Sequence, residues 1–214
     1  MNTIDNFRDP QYSFLMNSYP VDVAFDGDTY RTLEHAFQAA KTDNPLTRKQ
    51  IKDAPSARKA RQMGRSIAIR PTWDSERLDV MRQLLADKFD DPELREKLLA
   101  TGNAELVSGG HQFWGVHHGS GQNQLGKLLM EVRSAILEQN AKDLDDNLRL
   151  YLKSCHWKRD TSGDGLFGEC WTPPWDEDCQ YQLLDAVIEQ RSKVTLHDDS
   201  DSDDVDDFDD ANVD

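Results

Sequence analysis

The sequence predicts an α+β fold, a mainly helical single domain with a few short strands, followed by a helical C-terminal extension. Three observations predict it. Apolar residues recur at helical spacing through most of residues 1–140, whereas alternating stretches are few and short. Hydrophobic residues make up 37% of the 214, enough for one sizeable core. After Gln139 the pattern changes, which sets a functional domain at 1–140, an extension packed on it at 141–196 and a disordered acidic tail at 197–214.

The elements follow in order. Val21, Val23 and Phe25 alternate with Asp22 and Ala24, and Asp26-Gly27 then turns the chain back through Thr29 and Tyr30, a strand and hairpin. Thr32 is the N-cap of a helix with Leu33, Ala36, Phe37 and Ala40 on its apolar stripe. A second helix spans 45–53, and a third is capped by Ser56 and closed by a left-handed Gly64. Ile67, Ala68 and Ile69 read as a buried strand stopped by Pro71. Trp73-Asp74-Ser75 opens a helix carrying Leu78, Met81, Leu84, Leu85 and Phe89. Asp91-Pro92 starts another, which ends at Gly102. Residues 105–107 and 113–115 read as short strands. Asn123 leads into an amphipathic helix with Leu125, Leu128, Leu129, Val132 and Ile136 inward. In the extension, 143–153 and 181–193 read as helices around a Gly-, Pro- and Trp-rich stretch at 162–178.

Charge is unevenly placed. Ten of the fifteen net negative charges are aspartates between His197 and Asp214, which leaves −5 on residues 1–196. Such a tail cannot bury enough apolar surface to offset its ordering entropy. It is a solvating device, a ligand for a basic partner, or a mimic of nucleic acid. Arg48, Lys49, Lys52, Arg58, Lys59, Arg61, Arg65 and Arg70 form the opposite bias, interrupted only by Asp53. They suit a phosphate-bearing ligand, or simply the outer faces of helices. No apolar run reaches the length of a membrane span, and residues 1–10 lack the order of a signal peptide. The three cysteines, Cys155, Cys170 and Cys179, are an odd number confined to the last third. These features point to a cytoplasmic protein, with the nucleus as the alternative, and to no membrane partner. Cys155, His156, Cys170 and Cys179 lack the paired spacing of a zinc knuckle, so no metal is expected.

Residues 32–41, Thr-Leu-Glu-His-Ala-Phe-Gln-Ala-Ala-Lys, carry the strongest chemical signal. At i, i+4 and i+7 they place a carboxylate (Glu34), an amide (Gln38) and an amine (Lys41) on one edge of a helix whose neighbouring stripe is apolar. That suits a helix lining a cleft, although spacing alone favours a solvated surface helix. Residues 119–127, a glycine-rich loop entering a helix that carries Lys127, suit a phosphate or a plain helix cap. Trp73 and Trp114 either stack on a base or pack in the core. Together these features fit cleavage at an anomeric carbon, where a carboxylate stabilises developing positive charge. An amine can also trap the opened sugar as a Schiff base.

The chain resembles the NADAR family, also called YbiA-like. The resemblance rests on 14–20 (Phe-Leu-Met-Asn-Ser-Tyr-Pro), Asp26-Gly27, 32–41, 70–74 (Arg-Pro-Thr-Trp-Asp), Lys88-Phe89, Thr101-Gly102, 105–107, 113–115 and 123–133 (Asn-Gln-Leu-Gly-Lys-Leu-Leu-Met-Glu-Val-Arg), in family order. It covers residues 12–138 and implies the family's N-glycosidase fold and activity, with no metal or cofactor required. The family's substrates are phosphorylated riboflavin-pathway intermediates, or ADP-ribose on guanine in nucleic acid. By motif position, Glu34 is implied as the catalytic carboxylate and Lys41 as the amine near the ribose anomeric carbon. Asn17, Ser18, Tyr19, Gln38, Arg65, Trp73, Trp114, Asn123, Gly126 and Lys127 are implied as the pocket lining.

One departure stands out. Between 105–107 and 113–115 the family has a longer loop with a second acid. Here only Ser108-Gly-Gly-His-Gln112 remains, and His111 stands about where that acid would be. His111 is therefore a candidate acid or base. The preferred expectation is an ADP-ribosyl-guanine glycohydrolase that removes ADP-ribose from nucleic acid. The alternatives are hydrolysis of phosphorylated riboflavin intermediates and a non-catalytic ADP-ribose-binding module.

Overall fold

Cap chemistry and short-range pairing set most of the elements in this computed structural model, which describes residues 2–160, 170–172, 174, 181–182 and 185–188. The chain divides into two compact units, Met1–Glu138 and Gln139–Asp214. The expectations for the tail at 197–214, for Cys179 and for most of 162–178 fall outside the described residues.

In the first unit, β1 (Thr3–Ile4) pairs in parallel with β4 (Glu105–Leu106), joining the two ends of the core. A single 3-10 turn at Ser13–Leu15 buries Phe14 and Leu15. Strands β2 (Val23–Phe25) and β3 (Asp28–Tyr30) form the expected hairpin, with Asp26 and Gly27 both at positive φ. Helix α1 (Leu33–Ala39) follows, with all seven residues buried. Its cap is Thr32, whose Oγ1 accepts from the His35 amide. His35 Nε2 donates to the Ala54 carbonyl at 3.2 Å, which leaves Nδ1 to accept from the Thr32 hydroxyl at 2.7 Å. Burial holds this imidazole below its ordinary pKa, in keeping with that neutral tautomer.

Asn44 and Pro45 start α2 (Pro45–Lys52), and Ser56 caps α3 (Ala57–Met63), which packs on α1. Helix α4 (Trp73–Lys88) buries Val80, Met81, Leu84, Leu85 and Lys88. Asp91 and Pro92 start α5 (Pro92–Ala100) as expected. Helix α6 (Gln124–Ser154) runs unbroken through the position where the sequence pattern changes, and Leu125, Leu128, Leu129, Val132 and Ile136 are buried.

Four local expectations are corrected. Gly64 ends α3 in the right-handed conformation, with φ −61°. Its lack of a side chain matters for another reason: a Cβ there would lie 1.9 Å from Gln38 Oε1. Residues 67–69 form no strand, and Ile69 is 51% exposed. Residues 113–115 are a turn rather than a strand. Tyr181–Gln182 is β7 rather than a helix start. It continues an antiparallel sheet with β5 (Lys158–Asp160) and β6 (Cys170–Thr172). The second unit is thus not purely helical, and its own core gathers Leu152, Trp157, Trp171, Ala186 and Val187.

Gly126 shows how tightly α6 meets the strand region. A Cβ there would sit 2.0 Å from the Leu106 carbonyl oxygen, which is backbone and cannot swing aside. Gly126→Ala is expected to destabilise the first unit by about 1–3 kcal/mol. Urea unfolding read by tryptophan fluorescence measures this, and an unchanged midpoint would contradict the contact.

Candidate active site

The buried edge of α1 forms the centre of the site. Glu34 is 2% exposed and Gln38 5%, unusual burial for polar side chains, which need partners there. Gln38 Nε2 donates to Glu34 Oε1 at 2.8 Å. Gly64 lets the rest of that amide lie against the end of α3. The Glu34 amide donates to the Asn17 carbonyl at 2.8 Å, which ties 14–20 to α1. Among the described residues the Asn17 side chain has only a weak partner, Met81 Sδ at 3.9 Å, and its buried Oδ1 has none.

Arg61 completes the carboxylate's surroundings. Its Nε donates to Glu34 Oε1 at 2.9 Å and its Nη2 to Oε2 at 2.7 Å, a two-pronged pairing across 27 residues of sequence. Hydrogen bonding to Glu34 holds the Arg61 guanidinium above its ordinary pKa, against the effect of burial. Arg61 also lines an open depression of ≈ 590 Å³ with Ser18, Ala57, Arg58, Gln62 and Arg65. Most of the basic block is neutralised by carboxylates. Arg48 pairs with Asp26, Lys49 with Asp53, Lys52 with Asp28 and Arg70 with Glu76. Arg58, Lys59 and Arg65 have no ion pair among the described residues, and two of these three, Arg58 and Arg65, line this depression.

Lys41 closes the other end of the edge, half-buried beyond α1. Burial lowers its pKa most. Glu34 opposes the shift, while Arg65 and Arg61 add to it. Its Nζ lies 5.8 Å from the centre of the Phe37 ring. Phe37 in turn meets Trp73 (5.0 Å between ring centres) and Trp114 (5.4 Å, edge-on). Trp73 is 6% exposed and packs in the core, while Trp114 is half-buried. α1 therefore links Asn17, Glu34, Gln38, Lys41 and the two tryptophans directly, and Ser18 and Arg65 through Arg61. Tyr19 is half-buried beside Lys88, with 5.7 Å from Nζ to its ring centre.

The glycine-loop residues are engaged differently. Asn123 Oδ1 accepts from the Ser108 amide at 3.0 Å, and its Nδ2 donates to the Leu106 carbonyl at 2.9 Å. This side chain clamps the strand end to α6, and Gly126 packs on the same carbonyl. The amides of Gln122, Asn123, Gln124 and Leu125 donate to the carbonyls of Gln112, Gly115, Phe113 and Trp114. These four amides of the suggested phosphate cradle are thus already satisfied by the chain's own backbone, as in a plain helix cap. Lys127 is exposed on α6, beside a depression with Met130, Glu131 and Ser134. His111 is exposed, and its Nδ1 accepts from the Phe113 and Trp114 amides at 3.1 and 3.3 Å. It caps the turn that carries Trp114, and that ring nitrogen is occupied by this structural task.

Sequence reasoning assigned no separate role to Arg61 or Lys88. Lys88 is fully buried, and its Nζ donates to the Met16 carbonyl at 2.8 Å. Burial lowers its pKa to about 7. The signal was present: Lys88 continues the core stripe Met81, Leu84, Leu85 at i, i+3, i+4, i+7. For Arg61 the signal was weaker. Ala60 and Gly64, small residues four apart, mark the face of α3 that packs closely on α1.

Known proteins share this architecture. The NADAR domain family model matches residues 6–137. The N-glycosidase YbiA of Escherichia coli (strain K12) is 39% identical over 143 residues, which make up 63% of this chain and 89% of that protein. A riboflavin biosynthesis protein of Vibrio vulnificus (strain YJ016) is 35% identical over 136 residues, 61% of this chain but only 37% of that one. The NMR structure of E. coli YbiA matches with a TM-score of 0.61 at 36% identity, covering 65% of this chain and 88% of that one. The chain belongs to the NADAR domain family and is a hydrolase acting on N-glycosyl compounds.

Proposed function

We propose that the Glu34–Lys41 edge cleaves the bond between a base and a phosphorylated ribose, and that its preferred substrate is ADP-ribose attached to guanine in a nucleic acid. The observation that carries this reading is the trio Arg58, Arg61 and Arg65 around one depression, joined to Glu34 through Arg61. Guanidinium groups suit a diphosphate, and two of the three have no carboxylate partner among the described residues. The Asn17 amide, short of a strong partner, suits a ribose hydroxyl.

In this reading the C1′–N bond breaks with its electron pair passing to the base, which leaves as a neutral molecule after taking a proton. Positive charge develops at C1′ and the ring oxygen, and the Glu34 carboxylate stabilises it. The Lys41 amine, made easier to deprotonate by burial and two arginines, bonds to C1′ as the base departs. Ring opening gives a Schiff base. Water then hydrolyses it, releasing the sugar aldehyde and restoring the amine.

A base-release assay comparing ADP-ribosylated guanine nucleic acid with phosphorylated pyrimidine intermediates of riboflavin synthesis tests the substrate. Release from the first is expected to dominate. Dominance of the second would favour the other reading, which the similarity to riboflavin biosynthesis proteins supports. Borohydride added during turnover is expected to fix a ribosyl adduct on the wild-type chain and none on Lys41→Ala, whose rate falls about 10²- to 10⁴-fold. Equal labelling of both proteins, seen by intact mass, would remove Lys41 from the covalent role. Because only the neutral amine reacts, the wild-type rate should climb with pH and level off below the ordinary lysine value of 10.5.

A further inference from the structure

Resting on the phosphoribosyl reading above, we propose that Arg61 is a latch: it covers Glu34 until a substrate phosphate draws its guanidinium away, so Arg61 selects phosphorylated over unphosphorylated ribosides. The carboxylate has little left to offer in the closed arrangement. Oε1 already accepts from Gln38 Nε2 and Arg61 Nε, and Oε2 accepts from Arg61 Nη2. The Glu34 side chain is 3% exposed and that of Arg61 53%. The guanidinium is the solvent-facing partner of the pair, and a ribose cannot bring C1′ against the carboxylate while that fork is in place.

The same guanidinium lines the depression with Arg58 and Arg65. A phosphate held there by those two arginines gives Arg61 a second oxyanion that suits its planar fork. A ligand moves a two-position side chain only by as much as it prefers one position. A phosphorylated riboside supplies that preference, because its oxyanion competes directly for Arg61. An unphosphorylated riboside supplies none and meets a covered carboxylate. Arg61 thus acts through Glu34 as a positioning residue, and it ties the start of catalysis to occupation of the phosphate site.

The test uses the full chain, a phosphorylated riboside that it cleaves, and the dephosphorylated counterpart, each with and without inorganic pyrophosphate. Pyrophosphate is expected to raise turnover of the unphosphorylated riboside ~10-fold or more, and to inhibit cleavage of the phosphorylated one by competition. Arg61→Lys keeps the charge and loses the two-pronged bridge. It should raise kcat on the unphosphorylated riboside, lose the pyrophosphate effect and narrow the substrate preference by a similar factor. A merely structural arginine would lower both substrates together, and that result overturns the latch. So does unphosphorylated turnover that pyrophosphate leaves unchanged, undetectable or reduced. If the wild-type chain releases no base from any phosphorylated riboside, the phosphoribosyl reading fails and the latch falls with it.

Discussion

Glu34→Gln is expected to slow base release about 10²- to 10³-fold while leaving the first unit folded. The substitution keeps shape and removes charge. The single glutamine oxygen, placed at the Oε1 position, can still accept from Gln38 Nε2 and Arg61 Nε, so two of the three buried hydrogen bonds remain and only the one from Arg61 Nη2 is lost. On the proposed mechanism, what disappears is the negative charge facing the developing oxocarbenium. That charge acts in a dry setting, where its effect is large because little water reorganises around it. Loss of activity should therefore come through kcat, with KM nearly constant, since the proposed phosphate grip lies on Arg58 and Arg65. Steady-state base release, with circular dichroism to confirm folding, measures it. A variant that retained full kcat would show that the carboxylate is a structural anchor for Arg61 and nothing more.

Much of the fold was legible because its signals are local. Thr32 and Asp91 cap their helices through hydrogen bonds three residues long, and Asp26-Gly27 meets the hairpin's need for positive φ within two residues. Such devices depend on near neighbours, which a sequence displays. Residues 67–69 misled because a short apolar run carries no information about whether a partner strand exists. Residues 113–115 misled because the competing force is a side chain: His111 caps their amides and rolls them into a turn. The break expected after Gln139 reflected a change in surface composition, and α6 continues because helix propensity persists through it.

The site was half legible for the same reason. Glu34 and Gln38 share an edge by helical spacing and are joined by a direct hydrogen bond, and Lys41 follows them just past the end of the helix. The cation that holds Glu34 lies on another helix, and no periodicity links residues 34 and 61. The basic block suggested a phosphate, but only the three-dimensional ion pairs show which of its members are occupied. The glycine loop shows the converse. Its composition suggested a cradle or a helix cap, and the amides of 122–125 are satisfied by the chain's own carbonyls.

Lys88→Met is expected to change stability in opposite directions at acid and alkaline pH. The wild-type amine is fully buried, with a pKa near 7 against 10.5 in the unfolded chain. Below pH 7 both states carry the proton, and the folded state bears the full cost of a buried cation. Between pH 7 and 10.5 the unfolded chain binds more proton, so wild-type stability rises by up to about 1.4 kcal/mol per pH unit. Methionine fills similar space without the charge, and it leaves the Met16 carbonyl unpaired at a cost of about 1–3 kcal/mol. The variant should be more stable than wild type by roughly 1–3 kcal/mol at pH 6 and less stable by roughly 1–2 kcal/mol at pH 10. Urea unfolding at the two pH values decides it, and an equal difference at both would show that Lys88 does not titrate as its burial requires. Activity should fall at either pH. The Met16 carbonyl precedes Asn17, whose own carbonyl receives the Glu34 amide. Freeing Met16 loosens the segment that seats the Glu34 end of α1, which gives a physical reason for a folded protein to keep a lysine where a methionine would be more stable at neutral pH.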